Sequence, residues 1–442
     1  MKIKTSPKDL HIGKGYPIKE FKKSKLVNIT QKQDSRKGHT FVFGTTRVGK
    51  TRLAENGILQ DIRAGRNVVI IDPKVDGELF SSVYRTCVET DRIQDLMLLT
   101  TLYPEYSVKL NPLANFFLED EVISHVMAGV PADDDFFWNY AYEITSVIVR
   151  SLIKLKRHNR QDLTITFDEI SRHVSFSEVK KLLEKMEQFG DEDSKKINNL
   201  SRSIMEGEKE YFGKVSSTLR GTLTQLTTGN LAKVAGRAKE NPFVERVEKN
   251  KGAILYVQTG AMLQGRAALI LGKVVVSMIQ SMVGRFFAEG EKFKTPLCLY
   301  IDEMSNCTYR GVEDMFNKAG GCNCYITGLT QSPADIIAEI GPDRARKLFD
   351  NTNTKIVMRL NDIDSAKVLK TYAGKEIRYT SQLSLNGGIR STEVEEELLQ
   401  ETDFLELKPR EFFYFGFEGK FRGKTAPIED SNIKIQLPKV MR

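Results

Sequence analysis

A glycine-bearing motif of eight residues near the start of the sequence has the composition of a phosphate-binding loop. It fits the pattern G-x-x-x-x-G-K-[ST] and consists of Gly44, Thr45, Thr46, Arg47, Val48, Gly49, Lys50 and Thr51. An apolar run at 41–43 precedes the motif and apolar residues at helical spacing follow it, which is the strand, loop and helix context that such a loop requires. Glycines let backbone N–H groups and the helix N-terminus face phosphate oxygens, while Lys50 would reach the β and γ phosphates and Thr51 would ligate Mg²⁺. All eight positions are therefore predicted to bind a nucleotide.

An acidic pair much later in the sequence could supply the hydrolytic half of the same site. Mg²⁺ needs a carboxylate and hydrolysis needs a positioned water. An apolar run at 297–301 is followed by Asp302 and Glu303. We predict that Asp302 belongs to the magnesium site and that Glu303 polarises the attacking water. Asp72 ends another apolar run and remains an alternative metal carboxylate, although Pro73 follows it in place of a second acid.

Two further kinds of residue could complete the site. Gln331 follows an apolar run at 325–330, which predicts a contact to the γ-phosphate or to water that reports nucleotide state; a helix-capping role is the alternative. Arg344, Arg346 and Arg359 are candidates for an arginine given to a neighbouring subunit, or ordinary surface arginines. The sequence has no N-K-x-D guanine-reading motif, so ATP is favoured over GTP.

Short β-rich runs separated by helical patterns indicate an α/β fold. The runs lie at 40–43, 67–72, 96–100, 253–258, 297–302, 325–330 and 355–360. Most are continuously apolar, which is typical of strands buried on both faces of a parallel sheet. About 150 residues separate the third run from the fourth, whereas a crossover needs little more than a dozen. An inserted domain is therefore predicted, and apolar residues at helical spacing indicate that it is helical.

These patterns predict a nucleotide-binding domain at 38–112 and 236–442, with an all-α domain inserted at 113–235. Residues 1–37 contain ten Lys, one Arg and three acids, a net charge of +8 that equals the net charge of the whole chain. We therefore predict a basic N-terminal arm at 1–37, able to touch nucleic acid or an anionic membrane, or else merely solvated. The apolar stretch at 267–287 is interrupted by charged residues and predicts a buried core helix.

The ordered set of motifs resembles the conjugative coupling proteins, the TraD/TraG-type ATPases of type IV secretion, which are relatives of the FtsK and HerA DNA motors. The resemblance rests on the loop at 44–51, V-V-I-I-D-P-K at 68–74, F-F-W at 136–138, Y-I-D-E at 300–303 and L-T-Q-S-P-A-D at 329–335. It covers roughly residues 10–425. It implies a RecA-like nucleotide-binding domain with a mainly parallel sheet and an all-α insertion, using ATP and Mg²⁺.

The resemblance also implies partners and a location. Such proteins form homo-hexamers, take relaxase-bound single- or double-stranded DNA or protein effectors, and deliver them to secretion-channel components. Family members usually begin with an N-terminal membrane anchor, which this sequence lacks. We therefore expect a cytoplasmic chain, placed at the cytoplasmic face of the inner membrane by an anchor in the full-length protein or else a soluble relative. The five scattered cysteines, too few for a disulfide framework, agree with a reducing compartment.

Two alternatives for the function stay open at this point. One is a HerA- or FtsK-like DNA-translocating motor in cellular DNA processing, and the other is a nucleotide-gated docking platform with little turnover. Two segments are candidates for DNA contact: the basic stretch at 154–160 and the aromatic stretch at 412–424. The first could instead be an exposed helix end and the second a strand pair with a packed aromatic face.

Overall fold

The computed structural model of the chain describes residues 8–20, 25–132, 134–205, 209–383, 389–428 and 432–436. The strands are β1 (Leu10–Pro17), β2 (Val27–Gln31), β3 (Thr40–Phe43), β4 (Asn67–Asp72), β5 (Leu96–Thr100), β6 (Ile254–Gln258), β7 (Leu297–Ile301), β8 (Cys324–Thr330), β9 (Thr354–Val357), β10 (Lys375–Leu383), β11 (Ile389–Glu397), β12 (Glu411–Gly416) and β13 (Gly419–Thr425). β10 and β11 pair with each other, and the others form one 11-stranded sheet in the order β2-β1-β13-β12-β9-β3-β8-β7-β4-β6-β5.

The central part of the large sheet is parallel and one end of it is antiparallel. Strands β9, β3, β8, β7, β4, β6 and β5 all run in the same direction. Strands β12, β13, β1 and β2 extend the β9 edge by antiparallel pairing. All seven runs predicted from the sequence fall on the parallel strands, so the α/β class with a mainly parallel sheet is confirmed. The last of these strands ends earlier than predicted, at Val357, because its neighbour β3 ends at Phe43 and the amide of Leu360 donates to Phe404 instead.

The helices are α1 (Gln33–Arg36), α2 (Lys50–Arg63), α3 (Gly77–Glu89), α4 (Glu119–Ala128), α5 (Asp135–His158), α6 (Phe167–Arg172), α7 (Phe176–Phe189), α8 (Glu192–Met205), α9 (Lys209–Val215), α10 (Ser217–Thr227), α11 (Gly229–Leu231), α12 (Pro242–Glu248), α13 (Ala261–Gln264), α14 (Arg266–Ala288), α15 (Val312–Lys318), α16 (Pro333–Ile340), α17 (Pro342–Asp350), α18 (Ile363–Lys370) and α19 (Glu401–Leu405). Across 113–235 the described residues contain helices and connecting segments but no strand. This agrees in character with the predicted insertion, whose bounds remain a prediction.

Alternating side chains along the parallel strands build two hydrophobic cores, one on each face of the sheet. On one face, Val42, Val68 and Tyr300 pack with apolar side chains of α2 and α3. On the other, Val69 and Leu299 pack with α14 and the helices of the insertion. Both faces of the parallel strands are therefore covered, which explains why these runs are continuously apolar.

Helix α14 (Arg266–Ala288) is long and apolar enough to cross a membrane by length and composition alone. However, 67% of its most apolar window is buried inside the protein. It contacts α4, α10 and α15. The prediction of a buried core helix therefore fits its packing.

The predicted N-terminal arm at 1–37 is wrong for the residues of this segment that the structure describes. Strand β1 pairs with β13 and with β2 at the edge of the main sheet. Leu10, Ile12 and Ile29 are buried in the core beneath the sheet. In β1 the exposed Lys14 lies among buried positions, so a high lysine count is compatible with a strand that packs on one face.

Candidate nucleotide-binding site

The loop between β3 and α2 is held in its curved shape by backbone geometry and by neighbouring segments. Gly49 has a φ of 107°, and Arg47 adopts a φ of 62°, which is uncommon for a residue with a side chain. A Cβ on Gly44 would lie 2.9 Å from Cβ of Met358. The amide of Thr45 donates to the carbonyl of Arg359 at 2.8 Å. Thr46 and Arg47 are exposed at the tip of the loop.

Lys50 opens α2 and folds back over the loop. Its ammonium donates to the carbonyl oxygens of Gly44 at 2.5 Å and Thr45 at 3.0 Å. Burial lowers the pKa of Lys50, while the nearby carboxylates of Glu303 and Asp302 act in the opposite direction. Lys50 is thus a cation kept inside the curve of the loop, close to the predicted acidic pair, where phosphate oxygens would be attracted.

The sheet order brings the acidic pair to the loop. Asp302 and Glu303 follow β7, which is separated from β3 only by β8, and parallel strands end at the same edge. Oγ1 of Thr51 donates to Oδ2 of Asp302 at 3.4 Å. A hydroxyl and a carboxylate that meet in this way are oxygen donors of the kind that Mg²⁺ prefers. The residues present therefore fit the metal that the motif implies.

Glu303 has an unusual backbone for a residue with a side chain. Its φ is 53° and its ψ is 62°, and it precedes a short 3₁₀ turn at Met304–Cys307. Its amide donates to Oδ1 of Asp302 at 3.1 Å, and its side chain is 14% exposed. Left-handed backbone at a non-glycine residue is costly and is often found at functional sites. This conformation turns the carboxylate of Glu303 towards the same edge of the sheet as that of Asp302, since Lys74 contacts both.

Lys74 is the member of this site that the sequence analysis did not assign. Its Nζ lies 3.2 Å from Oδ2 of Asp302 and 2.7 Å from Oε1 of Glu303. Burial lowers the pKa of Lys74, but both carboxylates outweigh this effect and the net pKa is raised. The motif D-P-K entered only through the family resemblance. The sequence carries no signal for this role, because it depends on the adjacency of β4 and β7, which places residues just after Asp72 beside Asp302.

Asp72, the alternative metal carboxylate, is occupied by a structural role. Its Oδ1 accepts from the amides of Lys74 and Val75, each at 3.0 Å, and its Oδ2 accepts from the amide of Asp76 at 2.7 Å. The hydroxyl of Tyr256 also donates to Oδ2, at 2.8 Å. Burial raises the pKa of Asp72 to about 6. With both oxygens engaged in fixing a turn, Asp72 is a poorer metal ligand than Asp302.

Gln331 and the three candidate arginines lie at the end of β8 and in the segments that follow it in the chain. Gln331 is exposed at the end of β8, between the strands that carry the loop and the acidic pair, and directly before Ser332, the N-cap of α16. Arg359 is exposed and belongs to the segment bonded to Thr45, so it lies beside its own loop. Arg344 pairs with Glu313 at 3.6 Å, and Arg346 is exposed on α17; their predicted role in a neighbouring subunit stays a prediction.

The basic segment at 154–160 is largely neutralised by ion pairs. Lys154 pairs with Asp191 at 2.6 Å, Lys156 with Glu169 at 3.1 Å and Arg157 with Glu119 at 3.0 Å. These cations end helix α5, where the helix dipole favours positive charge. The geometry therefore fits an exposed helix end better than a surface that grips phosphates.

The aromatic segment at 412–424 is the β12–β13 hairpin of the main sheet. Phe412, Phe413 and Phe415 are buried, whereas Phe417 at the turn is 73% exposed. The ammonium of Lys420 donates to the carbonyl of Ala373 at 2.5 Å. The packed strand pair is thus the better interpretation, and most of these rings are inaccessible to bases.

Comparisons with known proteins show what this chain is similar to. Residues 296–409 match a family model described as the TraM recognition site of TraD and TraG. A search of curated proteins found no match to the sequence.

The fold matches solved coupling proteins over most of the chain. The bacterial conjugative coupling protein TrwBdeltaN70, in its unbound monoclinic form, has a TM-score of 0.67 at 15% identity and covers 93% of this chain and 89% of its own. The plasmid coupling protein TrwB in complex with ADP and Mg²⁺ has a TM-score of 0.68 at 14% identity and covers 96% and 95%. Other structures of TrwB contain the analogues GDPNP and ADPNP.

A more distant match is VirB4 of Thermoanaerobacter pseudethanolicus, with a TM-score of 0.55 at 13% identity, covering 96% of this chain and 98% of its own. At such identities the similarity establishes a shared fold. Together with the match at 296–409, it confirms the resemblance to TraD/TraG-type coupling proteins and the P-loop ATPase type of fold.

Proposed function

We propose that this chain is an ATP-hydrolysing coupling protein of a conjugation or type IV secretion system, which recruits DNA with its relaxase, or protein effectors, and drives them into the secretion channel. The observation that carries the proposal is the meeting of Thr51 and Asp302 at 3.4 Å, since it joins a phosphate-binding loop to an acidic pair. The fold shared with TrwB and the match at 296–409 support the choice of a coupling protein.

Each residue of the site has a role in the proposed reaction. Lys50 holds the β and γ phosphates, Thr51 and Asp302 hold Mg²⁺, and the amides of the loop at 44–49 surround the phosphates. When bound, Mg²⁺ supplies positive charge to the phosphate oxygens. Glu303 accepts a hydrogen bond from the attacking water and orients it towards the γ-phosphorus. Gln331, at the end of the intervening strand, contacts the γ-phosphate or this water and transmits nucleotide state to α16.

The wider assembly follows from the same proposal. We place the full-length protein at the cytoplasmic face of the inner membrane as a homo-hexamer. In this assembly an arginine from the neighbouring subunit completes each nucleotide site. ATP is the proposed substrate. Because TrwB has been solved with analogues of both ATP and GTP, the preference of this chain for adenine is a separate point, tested by competition between ATP and GTP.

Two rival functions make different predictions. The match to a TraD/TraG model disfavours a HerA- or FtsK-like motor for cellular DNA. A docking platform with little turnover would share the nucleotide site but would not need Glu303 for its task.

Steady-state ATPase with and without single-stranded DNA, measured on the oligomeric protein, separates a motor from a platform. We expect a DNA-stimulated rate that Lys50→Ala and Glu303→Gln each reduce at least about 100-fold. Glu245→Gln is the matched control, because Glu245 lies in an exposed ion pair with Lys249 and belongs to α12, a helix that carries none of the proposed site residues. A protein that binds ATP but shows no turnover in any oligomeric state would contradict the motor and support the platform.

A further inference from the structure

Lys74 joins the two carboxylates to which the proposed reaction gives different tasks. Its ammonium lies 2.7 Å from Oε1 of Glu303 and 3.2 Å from Oδ2 of Asp302. That same Oδ2 accepts the hydrogen bond from Thr51 at 3.4 Å. The ammonium therefore contacts the oxygen that the proposed metal would use and, simultaneously, the carboxylate that would orient the water.

The backbone beneath Lys74 is fixed, while the end of its side chain is partly free. The turn after β4 is held by Asp72, which accepts from the amides of Lys74, Val75 and Asp76. Val75 adopts a φ of 60°, a strained conformation for a β-branched residue that persists only where surrounding contacts hold it. The Lys74 side chain is nevertheless 45% exposed. Because the backbone of Lys74 is fixed and the end of its side chain is solvated, the ammonium can leave one carboxylate without any change in β4.

Charge gives this contact a consequence for ligand binding. Two adjacent carboxylates repel the phosphates of a nucleotide and attract a divalent cation. An ammonium that contacts both carboxylates weakens the repulsion of phosphates and the attraction of the cation. It also fixes the orientation of the Glu303 side chain, which is 14% exposed. Lys50 acts on the two carboxylates only through its nearby charge, since its ammonium is bonded to the carbonyls of the loop.

We propose that Lys74 is a positioning residue that holds Glu303 in place for the water and competes with Mg²⁺ for Asp302, so that it sets how strongly nucleotide binding depends on Mg²⁺. This inference rests on the proposed function of the site. Removing the ammonium should leave the acidic pair uncompensated. Mg²⁺ should then bind more tightly, nucleotide without Mg²⁺ should bind more weakly, and Glu303 should lose its orientation.

The first test measures binding, without turnover. A fluorescent ADP analogue is titrated in EDTA, and then at increasing Mg²⁺, for the wild type, Lys74→Met, Lys74→Arg and Lys370→Met. Lys370 is the matched control, because it also bridges two carboxylates, those of Glu397 at 2.5 Å and Glu401 at 2.8 Å. We expect Lys74→Met to weaken Mg²⁺-free binding about 5- to 10-fold and to lower the half-saturating Mg²⁺ by a similar factor. Lys74→Arg should restore most of the Mg²⁺-free affinity.

The second test asks whether Lys74 acts through Glu303. Steady-state ATPase is compared for Lys74→Met, Glu303→Gln and the double variant. We expect Lys74→Met to lower kcat about tenfold on its own and to have almost no further effect once Glu303→Gln is present.

The inference is overturned if Lys74→Met resembles Lys370→Met in both Mg²⁺ titrations, or if the losses of Lys74→Met and Glu303→Gln multiply. A thermal melt of Lys74→Met and Lys74→Arg shows whether both variants are folded, and Lys74→Gln replaces Lys74→Met if that variant is not. Failure of the proposed function is distinguished by the wild type itself, which would then show no ATP turnover in the second test or, if the site takes no nucleotide, no binding of the ADP analogue in the first.

Discussion

Thr51 and Asp302 are 251 positions apart in the sequence, yet Oγ1 of Thr51 donates to Oδ2 of Asp302 at 3.4 Å. The contact exists because β3 and β7 are parallel and separated by one strand, so the residues after both strands lie at one edge of the sheet. A hydroxyl from the phosphate-binding loop and a carboxylate from a distant strand are thus combined into one oxygen-rich position.

Substituting both members of this pair should show that they share one metal. We expect Thr51→Ala and Asp302→Asn each to raise the Mg²⁺ needed for half-maximal nucleotide binding about tenfold, because each removes an oxygen from the metal site. The double variant should show less than the product of the two effects, since both residues act on the same ion. Additive free energies in this double-mutant cycle would mean that the two residues do not share a metal.

Asp72 should matter for stability far more than for Mg²⁺. Asp72→Asn weakens the hydrogen bonds that fix the turn after β4 and the bond from Tyr256. We expect a loss of about 2–3 kcal/mol in the free energy of unfolding, measured by urea denaturation. The Mg²⁺ dependence of nucleotide binding should change little. Unchanged stability together with a large rise in the Mg²⁺ requirement would instead identify Asp72 as the metal carboxylate.

A buried charge network ties the N-terminal segment to the nucleotide-binding domain. Arg36 donates to both oxygens of Asp61 at 2.7 Å, and Arg66 donates to Asp61 at 2.5 Å. Asp61→Asn would leave the two guanidinium groups buried without a full counter-charge, which should cost about 3–5 kcal/mol of stability. Asp364→Asn is the control, since the Asp364 side chain is 82% exposed in its pair with Lys367 and should change stability by less than about 0.5 kcal/mol.

Deleting the N-terminal segment tests the same connection more severely. Removal of residues 1–37 takes away β1, β2 and Arg36, and we expect the remaining chain to lose its cooperative unfolding transition. A folded, cooperative protein after this deletion would restore the idea of a separable basic arm.

His39 should make the protein less stable at mildly acidic pH. Burial lowers the pKa of His39 from 6.5 to about 4, and its Nδ1 accepts from the amide of Ile326 at 3.2 Å. The unfolded chain binds the proton more tightly than the folded chain. The contribution of neutral His39 to the free energy of unfolding is therefore complete above pH 6.5 and is lost as the pH falls towards 4. The loss of this free energy between about pH 7.5 and about pH 5 is about 2 kcal/mol.

His39→Asn removes the titrating group and suits the left-handed backbone of this position, whose φ is 58°. Urea denaturation at both pH values should show a smaller loss of stability on acidification for the variant than for the wild type, whatever its stability at neutral pH. Equal losses in both proteins would show that His39 does not cause the acid sensitivity.

The parallel strands and the loop could be predicted because their determinants are local. Continuous apolar runs identify strands buried on two faces. The spacing of Gly44, Gly49 and Lys50 is typical of a loop that follows a strand and precedes a helix. Asp302 and Glu303 could be selected because an acid at the end of such a strand suits a metal. Their distance from Thr51, however, depends on strand order, which the sequence does not state.

The remaining features depend on tertiary contacts. In β1, lysine and glycine residues interrupt the alternation of apolar and polar residues that is typical of a strand. Leu10 and Ile12 were therefore not recognised as core residues within a basic segment. The proposed role of Lys74 depends on the pairing of β4 with β7, and Asp72 becomes the poorer candidate ligand because amides of its own turn donate to it. The cations of α5 looked available for phosphates because their partners are distant in the sequence: Asp191 precedes α8 and Glu119 begins α4.

The decisive experiment is a structure determined with Mg²⁺ and a non-hydrolysable ATP analogue. We predict that the triphosphate lies against the amides of the loop, that the Thr51 hydroxyl binds the metal at about 2.1 Å, and that Asp302 binds the metal or one of its waters. We also predict that one water lies between the Glu303 carboxylate and the γ-phosphorus. A nucleotide bound away from this loop, or the carboxylates of Asp302 and Glu303 directed away from the metal and the γ-phosphate, would contradict these predictions.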